Sequence, residues 1–193
     1  MTLGSVMSIL EVEAGAEWAG FFGTFSNVAS FPSYDSDFSD EARDLIDGEA
    51  ATGYRLRVSP TLHMALGRLA VRSSRSVERW RLNGRGPCCY EPFRGTLIEG
   101  KGDTILAGST LLLADLSEGQ NRSLQLGVLH DIVHVPNAPQ SRMQRLGPFL
   151  AKRLGRRRFG VREPVLYVAV LPYLEAPNRG GVAGLLALGF SGF

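Results

Sequence analysis

Residues 54–66 read Tyr-Arg-Leu-Arg-Val-Ser-Pro-Thr-Leu-His-Met-Ala-Leu, with Tyr54, Leu56, Val58, Leu62, Met64 and Leu66 at alternate positions. Arg55, Arg57, Ser59, Thr61 and His63 lie between them. A period of two is the signature of a strand, and this one predicts a long strand with one wet, basic face. Pro60 has no N–H to give a central ladder, so an edge position or a bulge is expected there.

Outward from this stretch, residues 74–82 (SRSVERWRL) read as a short helix with Val77, Trp80 and Arg81 on one side, ended by Asn83-Gly84-Arg85-Gly86-Pro87. Further strands are predicted over 104–116, 123–135 and 165–171, separated by turn residues at Ser117-Glu118-Gly119 and Pro136-Asn137. Met143, Leu146, Leu150 and Leu154 fall at helical spacing, interrupted by Gly147-Pro148. The segment 180–193 (GGVAGLLALGFSGF) is apolar and glycine-rich, and reads as a buried final segment or an exposed contact surface. Together these predict an α+β protein: a twisted, mostly antiparallel sheet of about four to six strands with two or three short helices.

Upstream, Trp18, Phe21, Phe22 and Phe25 fall at i, i+3, i+4 and i+7. A helix there would present an aromatic stripe, either packed on the protein's own core or used to dock a partner. Residues 27–53 are polar and acidic, the composition of a mobile segment. Residues 1–52 are therefore read as a flexible acidic arm with an aromatic helix, and residues 53–193 as a basic, β-rich globular domain.

The charge supports that division. Residues 1–52 hold ten acids and one base, Arg43, whereas residues 53–193 hold nine acids and twenty bases. All but two of the bases, Lys101 and Lys152, are arginine, the side chain suited to bidentate pairing with phosphate or carboxylate; GC-rich coding produces the same bias. Six cations, Lys152, Arg153, Arg156, Arg157, Arg158 and Arg162, fall within residues 152–162. With Arg55, Arg57, Arg72, Arg75 and Arg79 they predict a surface for nucleic acid or anionic lipid.

Catalytic patterns are weak. His130-Asp131-Ile132-Val133-His134 is the most site-like segment, but its flanks favour a strand, which puts positions 130 and 134 about 13 Å apart, too far to chelate one ion directly. There is no G-x-S-x-G elbow, no phosphate loop and no dinucleotide fingerprint. No metal or cofactor is expected. The leading expectation is a non-enzymatic structural or binding protein that self-associates and meets a protein partner through its arm. The alternative is a small metal- or His-dependent hydrolase using His130, Asp131 and His134.

An acidic arm containing Pro32-Ser33-Tyr34 ahead of a basic strand-then-helix core resembles in outline the matrix proteins of negative-strand RNA viruses. The chain lacks the PPxY or PTAP motif of those arms, and its arm is acidic where theirs are often lysine-rich. The resemblance implies a self-assembling protein that bridges a membrane and a nucleocapsid.

The adjacent Cys88 and Cys89 cannot staple distant segments and fit a reducing compartment. Glu11, Glu13 and Glu17 stand where a signal peptide would carry basic residues, and no run reaches the ~18 apolar residues of a membrane-crossing helix. A cytoplasmic or nuclear location, at most peripheral to a membrane, is expected.

Overall fold

The computed structural model describes residues 7–22, 28–117, 124–154, 157–158, 161–162, 164–176 and 182–189. In chain order these hold β1 (Met7–Phe22), β2 (Ser30–Phe31), α1 (Asp40–Asp44), β3 (Ala50–Leu66), β4 (Leu69–Leu82), β5 (Cys88–Glu91), β6 (Thr96–Glu99) and β7 (Asp103–Asp115). They continue with β8 (Leu124–Val135), β9 (Ala138–Arg153), β10 (Arg157–Arg158), β11 (Val161–Arg162), β12 (Val165–Glu175) and β13 (Val182–Gly189). One eight-stranded sheet runs β1-β3-β4-β7-β8-β9-β12-β13, with every pairing antiparallel. β2, β5 and β6 form a second sheet, and β10 with β11 a third.

Spatial order follows chain order, so the large sheet is an up-and-down meander. The start of β1, the Gly67-Arg68 turn, the end of β9 and the end of β13 lie at one end, called here the far end. The small sheet and α1 leave from the other, the cap end, in the connections β1–β3 and β4–β7. Gly67 takes φ 59°, the left-handed backbone that lets β3 reverse into β4 in two residues.

The α+β architecture is overturned. Among the described residues the one helix is α1, and the main sheet exceeds the strand number expected. Residues 74–82 belong to β4, and the helical spacing from Met143 to Leu150 lies within β9. Trp18, Phe21 and Phe22 lie on β1, which pairs with β3 along its whole length, so residues 7–22 are neither a helix nor a free arm. Phe25 lies outside the described residues. The strand-then-helix unit behind the matrix-protein resemblance is a β-hairpin.

The misread stretches share a cause. On β4 the buried alternate positions are Ser76, Glu78, Trp80 and Leu82, while Arg75, Val77, Arg79 and Arg81 are exposed. The period of two is complete, but neither face is uniformly apolar, so polarity alone does not reveal it. Pro60 and Pro148 sit where pairing to one neighbour lapses. The β3–β4 register skips Ser59 and Pro60, and the β9–β12 register skips the stretch holding Pro148.

Strands also approach one another closely at several glycines. A Cβ at Gly127 would collide with the Leu112 carbonyl oxygen, and one at Gly147 with that of Val170, whereas Gly184 has open space. Gly127→Val should therefore destabilise the fold by about 2 kcal/mol or more, with Gly184→Ala near neutral. Denaturant unfolding of the two variants checks this.

Candidate functional site: a charged interior behind an apolar wall

The large sheet has an unusual pair of faces. On β3 the exposed positions are Tyr54, Leu56, Val58, Leu62, Met64 and Leu66, and the more buried ones are Arg55, Arg57, Ser59, Thr61 and His63. The inward arginines meet acids from neighbouring strands. Arg55 pairs with Glu17 of β1 and, at 3.4 Å, with Glu78 of β4; Arg57 pairs with Glu13 at 2.6 Å. His63 lies 3.5 Å from Glu11, and Arg145 of β9 lies 3.3 Å from Asp131 of β8.

Glu78 is the hub. It is fully buried, accepts from Ser76 Oγ at 3.0 Å and Trp80 Nε1 at 3.1 Å, and pairs with Arg94 as well as Arg55. Arg94 comes from outside the large sheet, on the turn between β5 and β6. There Phe93 stacks on Trp80 with ring centroids 5.9 Å apart and tilts against Phe21 of β1 at 6.1 Å. Arg55 lies over the Trp80 ring at 5.1 Å. The β5–β6 turn thus packs against the charged face of the sheet at its cap end, where it acts as a plug.

Buried carboxylates hold the plug's frame. Glu91 accepts the backbone N–H groups of Phe93 at 2.8 Å and Arg94 at 2.6 Å, which sets the turn. Burial pushes its carboxyl up to about 7 against the pull of those two donors and of Arg94. Asp103, at the start of β7, takes Tyr34 Oη and Asn137 Nδ2, the latter at 3.2 Å, and so ties the cap to two strand ends. Burial, then the Asp103 hydrogen bond, raises the Tyr34 hydroxyl. Cys88 and Cys89 are buried in β5 with thiols pushed up by burial, which disfavours the reactive thiolate.

Below the plug the same face of the sheet borders a chain of cavities. A polar one of about 160 Å³ lies between Arg57, Ser76, Arg94, Asp131 and Arg145. It shares Ser74 and Ser109 with a larger one of about 570 Å³, bounded by Arg72, Leu111, Leu129, Phe149 and Tyr167. Nearer the far end, a third of about 330 Å³ adds Ile9, Ala65 and Ala70, sharing Arg72, Leu111 and Leu113 with the second. The interior grades from charged to apolar.

The residues singled out from the sequence do not form one surface. Arg55 and Arg57 face inward in ion pairs, Arg72 faces the cavities, and Arg75 and Arg79 face outward on β4. Lys152 and Arg153 end β9 at the far end, and Arg157, Arg158 and Arg162 lie on the β10–β11 pair within the β9–β12 connection; Arg156 lies outside the described residues. Trp18 and Phe22 are exposed, while Phe21 turns inward to the plug. His130, Asp131 and His134 do not converge, because Asp131 faces inward to Arg145 while the histidines occupy the opposite face of β8. Sequence reasoning missed Glu78 and Arg94. The available signal was the match between acids at 11, 13 and 17 and bases at 55, 57 and 63.

Two outcomes are expected. Arg94→Met removes one of two cations from fully buried Glu78 and should cost about 3 kcal/mol, while Arg94→Met with Glu78→Gln should recover part of that in a double-mutant cycle. Glu91 has a folded pKa above its unfolded one, so the folded state binds the extra proton. Its contribution is complete below pH ~4.5 and is lost as pH rises through about 7, by roughly 3 kcal/mol. Thermal melts from pH 4 to 9 should show that decline, and Glu91→Gln should flatten it.

No protein-family model, no curated protein and no solved structure matches this chain.

Proposed function

We propose that this chain forms a membrane-embedded β-barrel, plugged at its cap end, whose interior is a binding compartment rather than a through pore. The observation that carries the reading is the inversion on β3, with aliphatic side chains outward and arginines, hydroxyls and a histidine inward. A protein bathed in water buries the first set and exposes the second; a barrel in lipid does the reverse.

The outward face supports it in extent. The rung Met64, Val71, Leu112, Val128, Pro148 is apolar on five successive strands. The next, Leu66, Leu69, Ala114, Leu126, Leu150, Val168, Leu186, is apolar on seven. One protein partner would have to wrap the sheet to cover both, whereas a bilayer does so by nature. Tyr54 to Leu66 spans about 40 Å along the strand, or about 28 Å along an axis tilted 45°, near the height of a hydrocarbon core. Trp18, directly opposite Tyr54 and 74% exposed, gives an aromatic girdle toward the cap end.

Eight strands suit a barrel just wide enough to be filled by side chains, and β1 and β13, the two ends of the sheet order, run antiparallel as closure requires. Every backbone group in lipid needs a partner; β1 and β13 are not paired with one another among the described residues, and the reading requires that they pair in the bilayer. The wall is interrupted by polar groups toward the cap end: Arg75, Arg79 and Arg81 face outward on β4 and His130 and His134 on β8, and at mid-sheet Ser73 and Thr110 lie 3.2 Å apart beside Arg75, which bonds Thr110 Oγ1 and the Ser74 carbonyl. No helix among the described residues is long and apolar enough to cross a membrane, a statement that does not bear on strands.

Within this reading, anionic lipid is the partner for the basic run. Lys152, Arg153 and the β10–β11 connection stand at the far-end rim, where headgroups lie. Arg55 and Arg57, spent on Glu17, Glu78 and Glu13, do not contribute to a nucleic-acid surface.

Denatured full-length chain diluted into lipid vesicles should gain β-sheet circular dichroism and stay with the vesicles through alkaline washing. Met64→Arg or Leu112→Arg should lower stability in vesicles by about 2–4 kcal/mol, whereas an exposed aliphatic residue in a water-soluble protein tolerates the change within about 0.5 kcal/mol. Folding in buffer without lipid, together with neutral substitutions, would overturn the reading.

A further inference from the structure

The inward arginines differ in one respect. Arg55, Arg57 and Arg145 each have a carboxylate, from Glu17 and Glu78, Glu13, and Asp131. Arg72, on the same face of the sheet in β4 but exposed, opposite His63 of β3 and Leu111 of β7, has no ion-pair or hydrogen-bond partner among the described residues. It borders both the 570 Å³ and the 330 Å³ cavities.

We infer that the far-end interior binds a single-chain anionic amphiphile, with its carboxylate or phosphate on Arg72 and its alkyl chain in the larger cavity. Each part of the ligand has its counterpart. The guanidinium is a fork for two anionic oxygens, and the hydroxyls of Ser74 and Ser109, bordering the same cavity, are further donors. Leu111, Leu113, Leu129 and Phe149 line the chain's path, with Phe149 6.0 Å centroid to centroid from Tyr167. The volume falls in the range of about 300–1,000 Å³ typical of small-ligand sites. A neutral lipid would leave Arg72 without a counter-charge, and a small inorganic anion would leave the apolar wall unfilled. An anion joined to an alkyl chain satisfies both.

The site rests on the placement of Arg72 and Leu111 on that face and is tested apart from membrane insertion. Full-length protein in non-ionic detergent micelles is titrated with the fluorescent fatty acid cis-parinarate, and bound probe is displaced with laurate, dodecyl phosphate, dodecanol and dodecylamine. Saturable binding is expected, displaced by laurate or dodecyl phosphate, the tighter of the two naming the headgroup. Arg72→Gln should weaken it about tenfold or more, Arg72→Lys less, and Leu111→Trp, which fills the cavity and leaves the cation, should abolish it. Circular dichroism and the thermal midpoint of each variant confirm that it is folded. Equal affinity in wild type and folded Arg72→Gln, or displacement by dodecanol as strong as by laurate, overturns the proposal. Because vesicle insertion is measured without ligand, loss of binding with insertion intact sinks this site alone, and loss of insertion sinks the barrel reading.

Discussion

A carboxylate with no water around it must be surrounded by donors, and Glu78 is such a group. Its demands organise much of the molecule. Arg55 answers from β3 and is itself anchored by Glu17, which holds β1 to the sheet. Arg94 answers from the β5–β6 turn, which pulls Phe93 onto Trp80 and Phe21 and brings the small sheet over the cap end. The series Glu17, Arg55, Glu78, Arg94 therefore joins edge strand, wall and plug, running from half-exposed Glu17 to fully buried Glu78.

This arrangement explains what could be read in the sequence. The strand around Tyr54–Leu66 was legible because aliphatic and polar residues alternate there almost without fault, and β7, β8 and β12 because their aliphatic runs are bounded by turn residues. What alternation does not state is which face is inside. Taking the arginine face as wet put Arg55 and Arg57 on a surface, and that assumption made a basic binding protein the natural reading.

β4 and β9 were lost for a related reason. Val77, Trp80 and Arg81 match a helical spacing by accident, while Ser76, Glu78, Trp80 and Leu82 share a face that no single polarity marks. In β9, Gly147 and Pro148 look like breakers, yet they sit where the pairing to β12 lapses and the backbones come close. The candidate interior was less legible still, because its pairs join residues as far apart as Glu13 and Arg57. Only the excess of acids before residue 53 and of bases after it hinted that two parts of the chain complete one another.

The acids of β1 also act as a register key. Glu11, Glu13 and Glu17 fall on one face of the strand, while Leu10, Val12 and Trp18 fall on the other. A slip of a single residue against β3 would exchange the two sets, turning three carboxylates toward the apolar side and leaving Arg55 and Arg57 facing aliphatic groups. A slip of two would restore the faces but separate each acid from its base. An outermost strand held by one neighbour is the part of a sheet most prone to pair wrongly, and here the error is penalised twice, once by burial and once by charge. The assembling chain thus carries its own proofreading, written as a spacing of glutamates.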